Sequence, residues 1–560
     1  MPKKNRFRRE GGGDKRLTSP LEPPKPPSIT TRIGVVSDVR MNSIVISAEP
    51  DAIKQSGLFA GAFFAIESDP GTIIVGTISS VQSAVEGSTA RGELVATIQK
   101  GSGRVDSGVT RPPLVGSPVL EADANLVKLV SQSKEILSTH VAINLATLPH
   151  DESVSLSFTP EHLFGRHLAV VGASGSGKSW TLGRIVSECA KFRSKVILFD
   201  ATGEFRPLKQ GARHVYIGDD PYAPPYAVPV SIPYSDLNES DLFAIFQPVG
   251  QSQAAKLRAA IESLRLARLE PGLAPNGMIL KAHRSKKDFL AARSDFAPEL
   301  EDPRALFDIR VLCAQIQNEC VDAQQSPSEP MYWGGQNAID YSHCVPLINR
   351  IQDVIRLPSL NPIFSPRDEP ALFDEILNFL QAEDESVLRI NLQYLSFAHH
   401  AREIVANAIG RYLMEAARLD VFRKKPLLAI IDEAHQFLNN TVISDSKDNR
   451  LDSFALLAKE GRKYGLTMCL VTQRPRDIPE DILSQMGTMI IHRLVNHHDL
   501  SIVERAAGGL HGIVASGVPC LRTGEAILLG VDFPMPTRIR IQIPWESPES
   551  QGPDFQKYWV

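Results

Sequence analysis

A glycine-rich octapeptide constrains the fold of this chain more than any other stretch. Residues 172–179 read GASGSGKS and fit the pattern G-x-x-x-x-G-K-[ST] at every fixed position. The apolar run 168–171 precedes it as a short strand, and residues 180–189 favour a helix. A strand, a glycine-rich loop and a helix in this order predict a phosphate-binding loop, or P-loop.

The residue types of the octapeptide suit the chemistry of a nucleotide. Glycines let the backbone curl until successive N–H groups point at phosphate oxygens, and the helix N-terminus adds a favourable dipole. Lys178 is predicted to bridge the β- and γ-phosphates of ATP, and Ser179 to hold Mg²⁺. The predicted nucleotide-binding residues are Gly172, Ala173, Ser174, Gly175, Ser176, Gly177, Lys178, Ser179 and Trp180. A glycine-rich turn that binds no nucleotide is the alternative, and the flanking strand and helix patterns disfavour it.

Length and composition limit the class of protein but do not indicate an activity. A chain of 560 residues predicts two to four domains, and 43% hydrophobic with 22% charged residues is typical of a globular protein. The six cysteines form no C-x-x-C pair, and no apolar stretch is long enough for a membrane helix, so we expect a cytoplasmic protein without membrane contact. The net charge of −4 gives no global sign of nucleic-acid binding and does not exclude it.

The N-terminal part divides into a tail and a β-rich domain. Residues 1–27 are basic and proline-rich, which predicts a disordered tail. Residues 28–158 contain short β-rich runs separated by glycine, proline and aspartate, a pattern that predicts a small β-barrel. The predicted strands are 32–37, 43–47, 62–67, 72–81, 92–98 and 117–120.

An α/β core interrupted by a helical segment follows. Its first part spans 159–235, where the strand 195–199 ends at Asp200 and is followed by Glu204. Both acids are candidate site residues, although a turn cap and a surface glutamate are nearly as well supported. Residues 236–384 are predicted to be an α-helical insertion, with a helix over 241–268 that breaks near 248–250 and a second over 302–321 capped by Asp302. The core resumes over 385–545, and 546–560 form a C-terminal tail.

Two acids after an apolar strand complete the predicted hydrolytic site. Residues 426–431 read PLLAII and are followed by Asp432 and Glu433. This is the expected Walker B partner of a P-loop, with Asp432 acting on Mg²⁺ and Glu433 polarising the attacking water. Farther on, the strand 466–471 leads to Gln473, a candidate γ-phosphate sensor, and Arg462 is a candidate arginine finger for a neighbouring subunit. From the residues alone, an ordinary surface or capping role is equally well supported for these last two.

The order of these parts resembles the HerA family of the HerA/FtsK hexameric ATPases. The resemblance covers most of the chain and includes the β-barrel, Arg166-His167 before the first core strand, the Gly-Glu-Phe at 203–205, the helical insertion, the Asp-Glu-Ala-His at 432–435, the Gln-Arg-Pro at 473–475 and the Gly-Glu-Ala at 524–526. It implies a RecA-like P-loop core in a homohexameric ring that encloses duplex DNA. In such a ring Glu433 is the catalytic glutamate, Gln473 the strand-end glutamine, Arg462 a finger acting in trans and Arg166 a second nucleotide-sensing arginine.

The resemblance also implies partners and leaves alternatives open. Archaeal members work with a nuclease, and many bacterial members with nucleases or sirtuin-type NADases in anti-phage operons, so we expect a partner effector and a role in defence or DNA end processing. The letters DEAH at 432–435 also occur in superfamily-2 helicases, which require a second RecA-like domain. A different class of function is an ATP-binding ring scaffold that assembles and regulates an effector without moving along DNA.

Overall fold

The computed structural model describes most of the chain as two compact units that divide near residue 130. The described residues are 31–48, 59–69, 71–84, 87–132, 140–302, 305–438, 451–508, 517–550, 552 and 555–559. The predicted tail 1–27 lies outside them. Within these ranges no helix has the length and apolar character needed to cross a membrane.

The first unit is a β-barrel. Its strands are β1 (Arg32–Val39), β2 (Ser43–Ala48), β3 (Phe63–Asp69), β4 (Thr72–Ala84), β5 (Gly87–Gln99), β6 (Val105–Ser107) and β7 (Pro118–Glu121). They pair in the order β2-β1-β7-β3-β4-β5, and β2 also pairs with β5, which closes a six-stranded barrel with β6 on its margin. Closure leaves these six strands without a free edge. The predicted β-barrel is thus confirmed, with each predicted strand found within a few residues of its expected bounds.

A phenylalanine fills the barrel interior between two glycines. The ring of Phe64 is fully buried, and a Cβ atom added to Gly76 or Gly92 would lie 2.2 Å and 2.4 Å from it. Apolar side chains from alternate positions of the strands complete this core: Ile33, Val36, Ile44, Ile46, Ile66, Ile74, Ile78, Ala90, Leu94 and Val119. The two glycines therefore provide the space for the largest side chain of the barrel.

The second unit contains a twelve-stranded sheet. Its strands are β8 (Ile143–Leu148), β9 (Asp151–Phe158), β10 (Leu168–Val171), β11 (Lys195–Asp200), β12 (Ala212–Ile217), β13 (Val228–Val230), β14 (Val387–Asn391), β15 (Leu427–Ile431), β16 (Leu466–Thr472), β17 (Thr488–His492), β18 (Glu525–Gly530) and β19 (Thr537–Ile541). Their order is β13-β12-β14-β11-β15-β16-β10-β17-β18-β19-β8-β9, parallel from β13 to β17 and antiparallel beyond. The central strands β10, β11, β14 and β15 are buried along their whole length, as expected for a parallel sheet covered by helices on both faces.

Two features of this sheet differ from the sequence prediction. The hairpin β8–β9 was expected within a barrel ending at residue 158, but it pairs through β8 with β19 of the second sheet. The strands β12 and β13 were not predicted, since their short mixed runs lack a clear alternation. They extend the parallel sheet beyond β14.

Helices cover the sheet and form the insertion. Their bounds are α1 (Ala124–Gln132), α2 (Pro160–Phe164), α3 (Lys178–Cys189), α4 (Glu239–Phe246), α5 (Gly250–Leu269), α6 (Lys287–Asp295), α7 (Ala297–Glu301), α8 (Leu312–Glu319), α9 (Ala338–Ile355), α10 (Asn361–Phe364), α11 (Leu372–Gln381), α12 (Ala401–Arg418), α13 (Ser453–Glu460), α14 (Glu480–Leu483), α15 (His497–Ala507) and α16 (Phe555–Tyr558). The helices α4 to α11 lie between β13 and β14, where the insertion was predicted.

One predicted helix is wrong in its start, and another breaks where expected. Helix α4 ends at Phe246 and α5 begins at Gly250, as the predicted break near 248–250 required. Asp302, however, follows the short helix α7 with extended backbone and caps no helix start, and the next α-helix begins only at Leu312. An Asp-Pro pair suits the end of one helix as well as the start of another, because the residue before proline is driven out of the helical region.

The parallel strands fix where a ligand can bind. Strands β10, β11, β15 and β16 run in the same direction, so the residues that follow them meet at one margin of the sheet, the carboxyl edge. The P-loop, Asp432 and Gln473 follow three of these strands, and Asp200 is the last residue of β11. Ligands of open parallel sheets bind at this edge.

The barrel packing gives a first testable expectation. Gly92→Ala places a methyl group against the Phe64 ring, and overpacking of this kind costs about 1–3 kcal/mol. Hydrogen–deuterium exchange of the β4 and β5 amides should then show faster opening. Gly101→Ala is the matched control, since nothing lies within 4 Å of a Cβ atom there. Equal protection in both variants would contradict the packing of Phe64 described above.

Candidate nucleotide site

The P-loop has the backbone that its glycines allow. Gly175 and Gly177 have φ of +70° and +115°, values that strain any residue with a side chain. Gly172 has a close neighbour instead, because an added Cβ atom would lie 2.5 Å from Cβ of His492. Helix α3 begins at Lys178, directly after Gly177, so its free N–H groups face the loop.

Neighbouring strands hold the loop in place. The Ala173 N–H donates to the Arg493 carbonyl (2.8 Å), and the Ser176 carbonyl accepts from the Gly524 N–H (3.0 Å). The Ser176 hydroxyl and the Lys178 ammonium both donate to the Ala173 carbonyl, at 2.7 Å and 3.1 Å. The loop is therefore shaped before a phosphate arrives, and the Lys178 ammonium points back over it.

His492 is a buried part of this cradle that the sequence did not single out. Its Nε2 lies 2.7 Å from the Thr181 hydroxyl of α3, and its Nδ1 lies 2.9 Å from the Glu525 carbonyl. Complete burial lowers the pKa of His492 to about 4, so the ring is neutral at physiological pH. The sequence offered one sign of this role, because residues 489–492 read MIIH and the histidine ends an otherwise apolar strand.

Three carboxylates lie near enough to Lys178 to influence its charge. Burial lowers the pKa of Lys178, while the charges of Glu433, Asp432 and Glu204 oppose that shift. Burial and then the neighbouring charges of Asp200, Glu433 and Glu204 raise the pKa of Asp432 well above its usual range. Negative charge thus exceeds positive charge in this group, and a divalent cation fits such a site.

Glu433 occupies a strained backbone position beside Gln473. Its φ is +45°, in the left-handed region that a residue with a side chain adopts rarely. The Gln473 backbone N–H donates to the Glu433 carboxylate, and burial raises the pKa of Glu433. Its Oε2 lies 3.3 Å from His435 Nδ1, without hydrogen-bond geometry, and no other described residue donates to this oxygen. That oxygen is buried without a hydrogen-bond donor among the described residues, and a water bound with the nucleotide would supply one.

Asp200 is a turn cap rather than a nucleotide ligand. Its two oxygens accept backbone N–H groups of Gly203 (2.7 Å) and Phe205 (3.2 Å), and Oδ2 also accepts from Arg389 Nε at 2.7 Å. The turn places Glu204 half-buried at the P-loop, where its carboxylate accepts a hydrogen bond from the Ser179 hydroxyl. Of the two acids expected here, only Glu204 therefore faces the site.

Mg²⁺ would be held by protein and nucleotide together. The described residues contain no group of three His, Cys, Asp or Glu side chains that could hold a metal. The excess carboxylate charge and the unpartnered oxygens of Glu204 and Glu433 nevertheless fit a cation at Ser179 and Asp432 that takes its remaining ligands from phosphates and water.

Two predicted arginines lie away from this site in their own subunit. Arg462 is exposed and precedes β16, whose seven residues span roughly 20 Å before reaching the carboxyl edge. Arg166 precedes β10 at the same far margin, the amino edge, and pairs with Asp532 at 2.8 Å. Neither arginine belongs to the P-loop cradle of its own chain, and the nucleotide-sensing role of Arg166 stays a prediction.

Trp180, also predicted to bind the nucleotide, lies in α3. It follows Ser179 in the first turn of the helix and keeps 37% of its surface exposed. The remaining predicted P-loop residues form the loop and its helix start, as the motif required.

Two family models match the chain. The model of the central domain of helicase HerA matches residues 135–285, and the model of the HerA-like C-terminal domain matches residues 419–510. The first begins before β8, in agreement with the place of the β8–β9 hairpin in the second sheet. The described part of the chain contains one α/β sheet of this kind, so the second RecA-like domain of superfamily-2 helicases is not found there.

Similar proteins have been named as helicases. A probable helicase, MJ1565, of Methanocaldococcus jannaschii is 23% identical over 77% of this chain and 71% of its own length. The DNA double-strand break repair helicase HerA of Saccharolobus solfataricus is 24% identical over 77% of this chain and 73% of its own. Among solved structures, the plasmid coupling protein TrwB with a GTP analogue has a TM-score of 0.43 and 13% identity, covering 77% of this chain and 95% of its own.

The site geometry predicts different defects for two substitutions. Lys178→Ala removes the ammonium from the phosphates, so nucleotide affinity and turnover should both be lost. Glu433→Gln keeps the shape but removes the base, so the protein should bind ATP while its turnover falls about 10²- to 10⁴-fold. Fluorescent-nucleotide binding and phosphate release measure the two effects. Wild-type turnover in Lys178→Ala would contradict the site assignment.

Proposed function

Because the chain is a P-loop ATPase of the HerA family, we propose that it forms a homohexameric ring that couples ATP hydrolysis to movement along duplex DNA. The proposal rests on one observation, which is that the residues predicted to act in hydrolysis lie at two opposite edges of the sheet. Lys178, Ser179 and Glu433 meet at the carboxyl edge, while Arg462 stands exposed at the amino edge of the same sheet. A site arranged in this way is completed by a second copy of the chain.

The residues at the carboxyl edge have the chemistry needed for ATP hydrolysis. Glu433, with one oxygen free of hydrogen bonds from described residues, orients a water and accepts its proton as the water attacks the γ-phosphate in line. Lys178 and the P-loop N–H groups stabilise the negative charge on the transferred phosphoryl group. Ser179 and Asp432 would hold Mg²⁺, which would supply further charge neutralisation when bound. Gln473 fixes Glu433 through its backbone and has its side chain half-buried at the same edge.

A head-to-tail ring brings the two edges together. In a heterologous interface the amino edge of one subunit faces the carboxyl edge of the next, and a closing rotation gives a ring. Arg462 then reaches the neighbouring γ-phosphate and stabilises the transition state, as arginine fingers do. Arg166 lies at the same amino edge and acts as the second arginine of the interface.

The proposal includes a DNA substrate and a partner. Named relatives are double-strand break repair helicases, which supports duplex DNA as the track. The polar loop 439–450, with Lys447 and Arg450, is a candidate for DNA contact, although a plain surface loop is at least as well supported, and it lies outside the described residues. Family resemblance further supports a cytoplasmic complex with a nuclease or sirtuin-type NADase effector, acting in anti-phage defence or DNA end processing.

Stimulation by DNA tests the motor against the scaffold alternative. ATP hydrolysis by the purified protein should increase several-fold when linear duplex DNA is added, because a motor couples turnover to its track. The increase should weaken as salt rises, since the contacts are with phosphates. A basal rate unchanged by DNA at low salt would favour the ring scaffold and overturn the proposed translocase.

Mixing two inactive variants tests the in-trans site. Arg462→Ala keeps an intact Glu433, and Glu433→Gln keeps an intact Arg462, so each homohexamer should be inactive. A mixed ring contains some interfaces with both wild-type residues, and ATPase activity should return to a measurable fraction of the wild-type rate. Lys178→Ala mixed with Glu433→Gln is the matched control, because both defects lie on the same side of the interface. No recovery in the first mixture would overturn the trans role of Arg462.

A further inference from the structure

The segment after β19 crosses the outer face of the P-loop helix. We define residues 542–550 as the C-terminal strap. A Cβ atom added to Gly183 of α3 would lie 3.2 Å from Cδ of Pro548 and 3.4 Å from Cβ of Pro544. The strap thus rests on the helix backbone at a position where the absence of a side chain permits close approach.

Arg184, the next residue of α3, anchors the start of the strap. Its guanidinium donates to the Ile543 carbonyl (3.0 Å) and to Oε1 of Gln542 (2.7 Å), and it pairs with Glu188 at 2.8 Å. Trp545 also donates its ring N–H to Glu188 at 3.2 Å. Only 5% of Arg184 is exposed, so these contacts exclude water and hold the strap in one register.

The far end of the strap reaches the turn that carries Glu204. The Glu549 N–H donates to the Glu204 carbonyl at 2.8 Å, and the Glu546 carboxylate accepts from the Lys209 N–H at 2.9 Å. Arg206 and Glu549 lie 3.6 Å apart at the surface. The turn is therefore held by Asp200 on its inner side and by the strap on its outer side.

Glu204 in turn contacts a residue of the P-loop motif. Its carboxylate accepts a hydrogen bond from the Ser179 hydroxyl, while its buried Oε2 has no hydrogen-bond partner among the described residues. A hydroxyl that donates its proton to a carboxylate has its lone pairs directed elsewhere. Carboxylates behind a metal ligand commonly orient it in this way.

We propose that Glu204 is a positioning residue that orients the Ser179 hydroxyl toward the nucleotide-bound cation, and that the C-terminal strap holds Glu204 in place. The inference rests on the proposed ATPase site and is independent of movement along DNA. It assigns the strap a specific effect, which is the Mg²⁺ dependence of nucleotide binding.

A pair of substitutions at Glu549 isolates the key hydrogen bond. Glu549→Pro removes the N–H that bonds to Glu204, whereas Glu549→Ala keeps this N–H, and both lose the surface pair with Arg206. The full-length variants are titrated with fluorescent ADP in Mg²⁺ and in EDTA. Glu549→Pro should weaken binding about 10-fold in Mg²⁺ and leave binding in EDTA unchanged, in line with losses at residues behind a metal ligand. Glu549→Ala should match wild type.

Substitutions at Glu204 give an independent measurement should Glu549→Pro fail to fold. Glu204→Ala should lose about 10- to 100-fold in Mg²⁺-dependent affinity, and Glu204→Gln, which keeps an acceptor oxygen, should recover most of it. Equal losses with and without Mg²⁺, or equal behaviour of the two Glu549 variants, would overturn the inference. Failure of the wild type to bind nucleotide would instead overturn the proposed function.

Discussion

A buried ion pair between Asp200 and Arg389 underlies the arrangement of the nucleotide site. Both side chains are almost fully excluded from water, so the pair repays its desolvation only because further hydrogen bonds satisfy it. Asp200 bonds backbone N–H groups of the following turn, and Arg389 also approaches the Gly203 carbonyl at 3.4 Å. Loss of either partner leaves an unpaired buried charge, which typically costs 3–5 kcal/mol. The pair thereby fixes the position of the turn that carries Glu204.

Among the described residues, the other acids at the carboxyl edge have no buried arginine partner like that of Asp200. The charges of Asp432, Glu433 and Glu204 all act on Lys178 and oppose the lowering of its pKa by burial, and burial raises the pKa of Asp432 and Glu433. Without a cation the like charges of this cluster repel one another. A nucleotide with Mg²⁺ would add both the cation that this cluster needs and the phosphates that Lys178 and the loop N–H groups accommodate. The repulsion among the carboxylates and the affinity for a Mg²⁺-loaded nucleotide therefore have the same origin.

Sequence reasoning located the elements whose signals are local. The P-loop, the strand before Asp432 and the barrel strands each carry their pattern within a few consecutive residues, and the structure confirms them as elements. Arg389 and His492 escaped notice because their roles depend on partners far along the chain, Asp200 and Thr181. Arg389 left one trace, a charged residue inside the apolar strand VLRIN.

The sequence predicts that a strand is present more readily than it predicts which end of the strand a neighbouring residue occupies. The Arg-His pair at 166–167 directly precedes the P-loop strand, and the family resemblance predicts that Arg166 senses nucleotide. In the structure β10 separates Arg166 from the P-loop of its own chain, and the buried ring of His167 bonds the Met468 N–H and the Ala458 carbonyl at the amino edge. A residue next to the P-loop strand in sequence therefore lies at the end of that strand opposite the loop.

The contact between Ser176 and Gly524 has a consequence for biosynthesis. The P-loop leaves the ribosome long before Gly524, whose N–H group holds it, and before β18 and β19 close that side of the sheet. A nascent chain consequently carries the glycine-rich sequence without its finished shape. A chain that stops before Gly524 therefore carries the P-loop motif but lacks the supports that shape it into a binding site.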